Sequence, residues 1–415
     1  MTRLVIRNGN VLDPVAGEIV GERTVVVEDD RIIDVVEGTG AADADLEIDA
    51  AGAFVMPGFI DAHVHHTFPT MNFPRLRRMS QIELAITMGQ TAEAYLRRGF
   101  TTVRDTGGDT RGLVEAVDSG VVEGPRIIRA GRVISQTGGH GDFRAATDVD
   151  IPWCGCQIHT DHHGLSHVAD GPDACRKAAR HELREGSDFL KIMSSGGVAS
   201  PADPFDSIQY TSEEIRAVTV EAEHRQTYVT SHAYTPEAIR LAVDNGVRCI
   251  EHGNMLDAPT AEHLANPGVT VVPTLVTYLA MEEMGAKVGL PQVNIDKHKG
   301  VLDAGRRAVE LARQAGVDLG FGTDLLGEAM PWQNREFAIR ADLEPAADVL
   351  RSMYVTNARL CHLEGEVGQV APGFLGDLLV CQVDPLERLA DLAEPDAVLT
   401  AVIKGGRVVK LVSPT

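Results

Sequence analysis

Short runs of β-branched and apolar residues, broken by turn residues, dominate both ends of the chain. LVIRNGNVLD, ERTVVVEDDRIIDVVE and LEIDAAGAFVMPG occupy the first part, and GDLLVCQVD and AVLTAVIKGGRVVKL the last. Asn-Gly, Asp-Asp and Gly-Gly at the breaks are typical of turns between strands. We therefore expect one small β-sandwich domain assembled from residues 1–57 and 364–415, with a larger domain, residues 58–363, inserted between them.

Between these ends, short apolar segments alternate with longer stretches of helical periodicity. The predicted strands are GFIDAHVH, FTTVRDT, RIIRAGRVIS, DFLKIM, YVTSHA, RCIEHG, VTVVPT and VDLGFGTD. Predicted helices include residues 80–98, 171–185, 212–225, 236–245, 296–315 and 345–360. This alternation predicts an α/β fold with a parallel sheet, and eight strand candidates favour a (β/α)8 TIM barrel. A doubly wound open sheet is the alternative, which the lack of a glycine-rich dinucleotide fingerprint after an early strand disfavours.

Composition restricts the classes of binding partner and the cellular compartment that we expect. The chain has 415 residues, 44% of them hydrophobic, and a formal net charge of −22. An acidic surface of this kind argues against nucleic acid or an anionic membrane as the partner. The absence of a signal-like start or a long apolar run, together with six scattered cysteines, predicts a cytoplasmic protein.

The first candidate for chemistry is His63-x-His65, at the exit of the apolar segment VMPGFIDAHVHHT. Alternate side chains of a strand point to the same face, so both imidazoles can enter one cavity. Paired imidazoles are favoured ligands of zinc and similar metals. Taken alone, the pair can equally be two polar residues at a strand exit.

Further metal-capable residues lie in or at the ends of later predicted strands. Each has an ordinary explanation alone: a hydrogen-bonded histidine, an ion-paired lysine or a helix-capping aspartate. The carboxyl ends of barrel strands meet at one face, however, and joint placement there predicts a shared site. The complete set is His63, His65, Lys191, His232, His252 and Asp324.

These segments resemble motifs of the amidohydrolase superfamily. The matching motifs are PGFIDAHVHH, FLKIMSSGG, TSHAY, IEHG and GTD. GGHGD, HVADGPDACRKAAR and SGGVASPADP are similar to the prolidase-like branch, which contains metal-dependent Xaa-Pro dipeptidases and carboxypeptidases related to imidazolonepropionase. The resemblance covers nearly the whole chain.

The resemblance implies a centre of two divalent metal ions, of which zinc is the expected one. His63, His65 and Asp324 would hold one ion, and His232 and His252 the other. Lys191, carboxylated by carbon dioxide, would bridge them, although an unmodified lysine beside a single metal also occurs in the superfamily. A hydroxide shared by the metals would attack the amide, with Asp324 as proton shuttle.

Substrate contacts are assigned to His140 and Tyr234. The resemblance suggests that they bind the terminal carboxylate or the carbonyl oxygen of the substrate; the alternative is that they only support their loops. Arg104, Asp105 and Thr323 are candidates for orienting the ligands.

A Cys- and His-rich loop at residues 153–171 could form another metal site through Cys154, Cys156, His159, His162, His163 and His167. Its C-x-C spacing is tighter than the usual structural zinc pattern, so we favour a lid or an oligomer contact, and expect a homo-oligomer.

The predicted function is hydrolysis of the amide bond before a C-terminal amino acid, in Xaa-Pro or Xaa-hydrophobic dipeptides or in N-acyl amino acids. Hydrolysis of a cyclic amide, as by imidazolonepropionase, is the alternative. A non-catalytic binding or assembly relative is a third reading, which the intact ligand set disfavours.

Overall fold

The computed structural model describes residues 2–38, 43–144, 164–200, 203–265, 268–288, 290 and 292–412. One sheet of eight strands draws on both ends of the chain. Its strands are β1 (Arg3–Asp13), β2 (Glu18–Glu28), β3 (Arg31–Glu37), β4 (Leu46–Asp49), β5 (Phe54–Pro57), β16 (Leu378–Cys381), β17 (Leu399–Lys404) and β18 (Arg407–Leu411).

The two ends of the chain meet where β5 pairs antiparallel with β16, with Val55 opposite Val380. Apolar residues of β1 and β2 share one buried cluster with residues of β16 and β17, including Ile6, Val25 and Ile403. The shared sheet confirms that both termini build one β-structure. The sandwich arrangement and the domain boundaries remain predictions.

The middle of the chain supplies parallel strands, as the alternation predicted. A three-stranded sheet contains β6 (Phe59–Val64), β7 (Phe100–Asp105) and β8 (Arg126–Arg129). A seven-stranded sheet contains β9 (Val133–Ser135), β10 (Ser166–Val168), β11 (Leu190–Met193), β12 (Val229–Ala233), β13 (Cys249–His252), β14 (Thr270–Val272) and β15 (Asp318–Leu319). Strands β11, β12 and β13 are buried along their whole length, as expected for parallel strands covered on both faces.

Helices alternate with these strands. They are α1 (Phe73–Leu76), α2 (Gln81–Arg97), α3 (Arg111–Asp118), α4 (Pro172–Arg184), α5 (Ser212–His224), α6 (Pro236–Asp244), α7 (Ala258–Leu264), α8 (Leu275–Val288), α9 (Gln292–His298), α10 (Val301–Ala315), α11 (Arg335–Ala341), α12 (Ala346–Arg351), α13 (Asn357–Leu360) and α14 (Pro395–Val398). The side chains of N-cap residues define where several of these helices begin. In α5, for example, Thr211 and Glu214 form a reciprocal capping box.

Four predicted elements differ from the structure in length or continuity. RIIRAGRVIS divides into β8 and β9, because the chain turns at Gly131 with a φ of +74°. The helix predicted at 296–315 breaks at Gly300, also at positive φ, into α9 and α10. VDLGFGTD keeps only two residues in strand pairing, and the helix predicted at 345–360 contains a π-helical segment, Ser352–Thr356, between α12 and α13.

Backbone hydrogen bonds join the two parallel sheets beyond β15. The Ala62 amide donates to the Phe321 carbonyl at 2.8 Å, and the Asp324 amide donates to the His63 carbonyl at 2.8 Å. The segment after β15 therefore lies against β6, which brings Asp324 beside His63. No helix in the described parts of the chain is long and apolar enough to cross a membrane.

Candidate metal centre

One cavity brings together eight of the residues that the sequence analysis proposed for the site. Its wall includes all six proposed metal ligands and both proposed substrate contacts, although they come from widely separated positions in the chain. These residues are His63, His65, His140, Lys191, His232, Tyr234, His252 and Asp324. Except for Asp324, these residues are nearly inaccessible to solvent. The predicted convergence is therefore observed, while the individual roles remain predictions.

Three of these side chains form a compact donor cluster. The Nε2 atoms of His63 and His65 lie 3.3 Å apart, and each lies within 3.3 Å of Asp324 Oδ1. Zinc ligands at about 2.0–2.1 Å in a tetrahedron are separated from each other by roughly 3.3 Å. The cluster, with two imidazole nitrogens and one carboxylate oxygen, therefore fits a divalent metal without rearrangement.

Two of the predicted ligands have an unusual backbone conformation. His252 has a φ of +72° and Asp324 a φ of +50°, in the left-handed region that non-glycine residues seldom occupy. At His252 the strand alternation ends, so this side chain and that of its neighbour Glu251 both approach His63. Such strain persists where surrounding structure holds it, and it is concentrated at functional sites.

The other two histidines have one ring nitrogen occupied by protein. His232 Nε2 lies 3.1 Å from the Gly196 carbonyl, which accepts its proton, and His252 Nδ1 lies 2.8 Å from Thr274 Oγ1. The carbonyl fixes the tautomer of His232, and both bonds leave the opposite ring nitrogen available to a metal. Burial, reinforced for His232 by neighbouring His140, holds the pKa of both imidazoles well below the usual range. Both rings are therefore neutral, as metal binding requires.

Lys191 lies on β11, fully buried beside the ligand cluster. Burial lowers the pKa of its ammonium, although Glu251 and Asp324 oppose this effect. Burial also tends to raise the pKa of Asp324, but the adjacent imidazoles of His63 and His65 outweigh it and hold that pKa well below its ordinary value.

Glu251 contacts the candidate site, and the sequence reasoning missed it. Its Oε2 accepts a hydrogen bond from His63 Nδ1 at 2.7 Å, and its Oε1 accepts one from Arg104 at 2.5 Å. Burial tends to raise its pKa, but Arg104 and His63 hold the pKa of Glu251 well below the usual range. The available signal was its place directly before His252 in the strand motif IEHG.

The three candidates for orienting the ligands have different outcomes. Arg104 pairs with Glu251, the carboxylate that bonds His63. Asp105 instead bonds the buried His66, Oδ2 to Nδ1 at 2.7 Å. Thr323 donates to Asp61 Oδ2, while the other oxygen of Asp61 accepts the backbone amide of His63.

The substrate candidates adjoin the second pair of histidines. The His140 ring stacks on His232 with centroids 4.2 Å apart, and the Tyr234 ring lies 4.7 Å from His232. The Tyr234 hydroxyl shares a hydrogen bond of 2.8 Å with the Tyr278 hydroxyl, a cavity residue that the sequence did not indicate.

Most of the Cys- and His-rich loop lies outside the described residues, including Cys154, Cys156, His159, His162 and His163. His167 is described. Its Nε2 donates to Glu182 at 2.7 Å, a carboxylate that also pairs with Arg132.

Comparison with known proteins identifies the family. The model of the amidohydrolase family matches residues 54–409. The chain belongs to the amidohydrolase family. Among solved structures, this amidohydrolase is similar to a prolidase complexed with N-methylphosphonate-L-proline, with 42% identity, a TM-score of 0.94, and coverage of 99% of this chain and 100% of that one.

Two further relatives are more distant. A Xaa-Pro dipeptidase structure with bound methionine in its active site is 28% identical, with a TM-score of 0.87, and covers 98% of this amidohydrolase and 99% of that chain. The ochratoxinase of Aspergillus niger is 27% identical over 377 residues, which are 86% of this chain and 75% of the relative. The resemblance to prolidase-like amidohydrolases is thus confirmed.

Proposed function

We propose that this amidohydrolase hydrolyses the amide bond before a C-terminal amino acid, with two divalent metal ions, preferably Zn²⁺, as cofactors. The observation that carries the proposal is the donor cluster of His63, His65 and Asp324, in one cavity with His232, His252 and Lys191. We also propose that the two joined parallel sheets form one (β/α)8 barrel whose mouth is this cavity.

The side chains of the site have different roles in the proposed hydrolysis. Bound divalent ions at such a site acidify water and polarise a carbonyl group. Asp324 is ionised at neutral pH, so its carboxylate can accept the proton of the attacking water and deliver it to the leaving nitrogen. His63, His65 and Asp324 would hold one ion, and His232 and His252 the other.

Lys191 would serve as a carbamate. A lowered pKa increases the fraction of neutral amine, which is the form that adds carbon dioxide and releases a proton. The resulting anion supplies two oxygens, which suit adjacent cations where an ammonium would repel them.

His140 and Tyr234 would bind the terminal carboxylate of the substrate. Their place beside His232 supports this orientation. The similarity to a prolidase complexed with a phosphonate-linked L-proline supports a substrate with a C-terminal amino acid.

The test is a substrate screen with the metal-loaded enzyme. Xaa-Pro dipeptides, Xaa-hydrophobic dipeptides, N-acyl amino acids and a cyclic imidazolone amide are assayed in parallel, with Asp324→Asn as the inactive control. We expect release of a C-terminal amino acid that the control does not give. Turnover of the cyclic amide alone would replace the proposal with the alternative function.

A further inference from the structure

The two sides of the cavity differ in chemistry. Beside His232 and His252 lie the hydrogen-bonding groups of His140, Tyr234 and Tyr278. Beside His65 the wall is aromatic, because the Phe68 ring packs edge-on against the His65 imidazole with centroids 5.4 Å apart. A substrate held across the ligand cluster therefore meets polar groups at one end and hydrocarbon at the other.

The aromatic side is a preformed cluster of three rings. Phe73 and Phe143 stack at 5.9 Å with planes 16° apart, and Phe68 meets Phe143 edge-on at 5.5 Å. Met281 and Leu326 extend the same wall, and both also line a small apolar cavity adjoining the first. Offset and edge-to-face contacts of this kind suit a further aromatic ring.

We propose that Phe68, Phe73, Phe143, Met281 and Leu326 form the acyl subsite, and that it takes an uncharged, apolar acyl group, preferably an aromatic one. This inference rests on the proposed function, because it assumes that the polar side holds the carboxylate end. The preferred substrates are then N-acyl amino acids rather than free dipeptides.

The charges of the residues that line the cavity support a preference for N-acyl amino acids over free dipeptides. Among the described residues that line the cavity, Asp324 is the one carboxylate, and it belongs to the donor cluster. The α-ammonium of a dipeptide would enter the aromatic side without a counter-charge from those residues. Burial of an unpaired charge is strongly unfavourable, whereas burial of hydrocarbon is favourable.

The experiment uses substrates that differ at a single position. N-(3-phenylpropanoyl)-L-leucine is L-phenylalanyl-L-leucine with its ammonium replaced by hydrogen, and N-acetyl-L-leucine lacks the phenyl ring. For the zinc-loaded enzyme we expect kcat/KM of the phenylpropanoyl compound to exceed both others by about tenfold or more. An equal or higher kcat/KM for the dipeptide would overturn the subsite while leaving the proposed function intact.

Substitutions of Phe143 test whether the substrate preference arises at the aromatic side of the cavity. Phe143→Ala should lower kcat/KM for the phenylpropanoyl compound about tenfold and change that for N-acetyl-L-leucine about twofold or less. Phe143→Asp should move the preference toward the dipeptide, since it supplies the missing counter-charge. Ile86→Ala, at an exposed position of α2, is the control and should change neither ratio. Equal losses on all three substrates for Phe143→Ala would contradict the assignment.

Binding provides a test that does not depend on turnover. Calorimetry with the metal-free protein should show tighter binding of N-(3-phenylpropanoyl)-L-leucine than of the dipeptide, and the difference should shrink in Phe143→Asp. If no substrate is hydrolysed, the proposed function fails, and this comparison still decides the subsite: equal affinities would refute it.

Discussion

His63 and Glu251 are joined by a hydrogen bond of 2.7 Å between Nδ1 and Oε2, with both side chains fully buried. The same carboxylate pairs with Arg104, whose Nε in turn donates to the Ala62 carbonyl at 2.6 Å on the strand that carries His63. Glu251 thus fixes the ring of a proposed ligand and balances a buried guanidinium. Its contacts are those of a residue that orients a metal ligand through the opposite ring nitrogen.

Glu251→Gln is expected to weaken metal binding by about 10- to 100-fold, because the amide cannot strengthen the His63 imidazole as a carboxylate does. Competition with a chelator measures the affinity. Glu344→Gln is the matched control, since Glu344 is another buried partner of an arginine, Arg340, outside the cavity. Both variants should lose stability, but only Glu251→Gln should lose metal. Equal metal affinity in the two variants would exclude the orienting role.

Lys191→Ala is expected to reduce bound metal from about two ions per chain to about one, because the bridging anion is lost. Metal analysis after reconstitution measures the stoichiometry. Acetate or propionate should restore part of the activity by replacing the missing carboxylate. Lys404→Ala is the control: Lys404 is a half-buried lysine that donates to the Gly124 carbonyl away from the cavity. Two ions retained in Lys191→Ala would refute a bridging carbamate.

The sequence predicted the convergence of the candidate ligands better than it predicted the groups around them. His63 and His65 follow from strand alternation, and Asp324 from its place after the last apolar segment. Glu251 did not follow, because alternation places it on the face opposite His252, and the positive φ that brings both toward His63 leaves no local pattern.

Longer-range pairings were also beyond the pattern. The Tyr234–Tyr278 bond joins residues 44 positions apart in sequence, on β12's exit and on α8, a helix with apolar residues on most sides. The division of RIIRAGRVIS into two strands depends on Gly131, whose positive φ is a tertiary outcome. The alternating order of strands and helices, by contrast, follows from the hydrophobic periodicity of the chain and could be predicted from the sequence.

Tyr234→Phe is expected to raise KM about tenfold with a smaller change in kcat, if the hydroxyl binds only the carboxylate. Steady-state kinetics with the best substrate of the screen measure both parameters. Tyr278→Phe removes the hydroxyl partner at 2.8 Å and should reproduce part of the KM effect. A larger fall in kcat than rise in KM would instead assign Tyr234 to stabilisation of the transition state.

Glu336 on α11 is expected to make stability depend on pH. Burial raises its pKa from 4.5 to about 8, against the opposing charge of Arg340. Its Oε2 accepts the Val276 amide at 2.7 Å, while Oε1 has no hydrogen-bond partner among the described residues. The folded state therefore favours the protonated acid.

The direction in which the free energy of unfolding changes with pH follows from the protons bound in the folded and unfolded states. Between pH 4.5 and about 8 the folded state holds a proton at Glu336 that the unfolded chain has released. The free energy of unfolding should therefore fall across this range, by at most about 5 kcal/mol from this group. Glu336→Gln keeps the shape without the titration, so the variant should gain stability relative to the wild type as pH rises. Denaturant unfolding of both proteins at pH 5, 6.5 and 8 measures the difference; parallel curves would show that Glu336 does not titrate in this range.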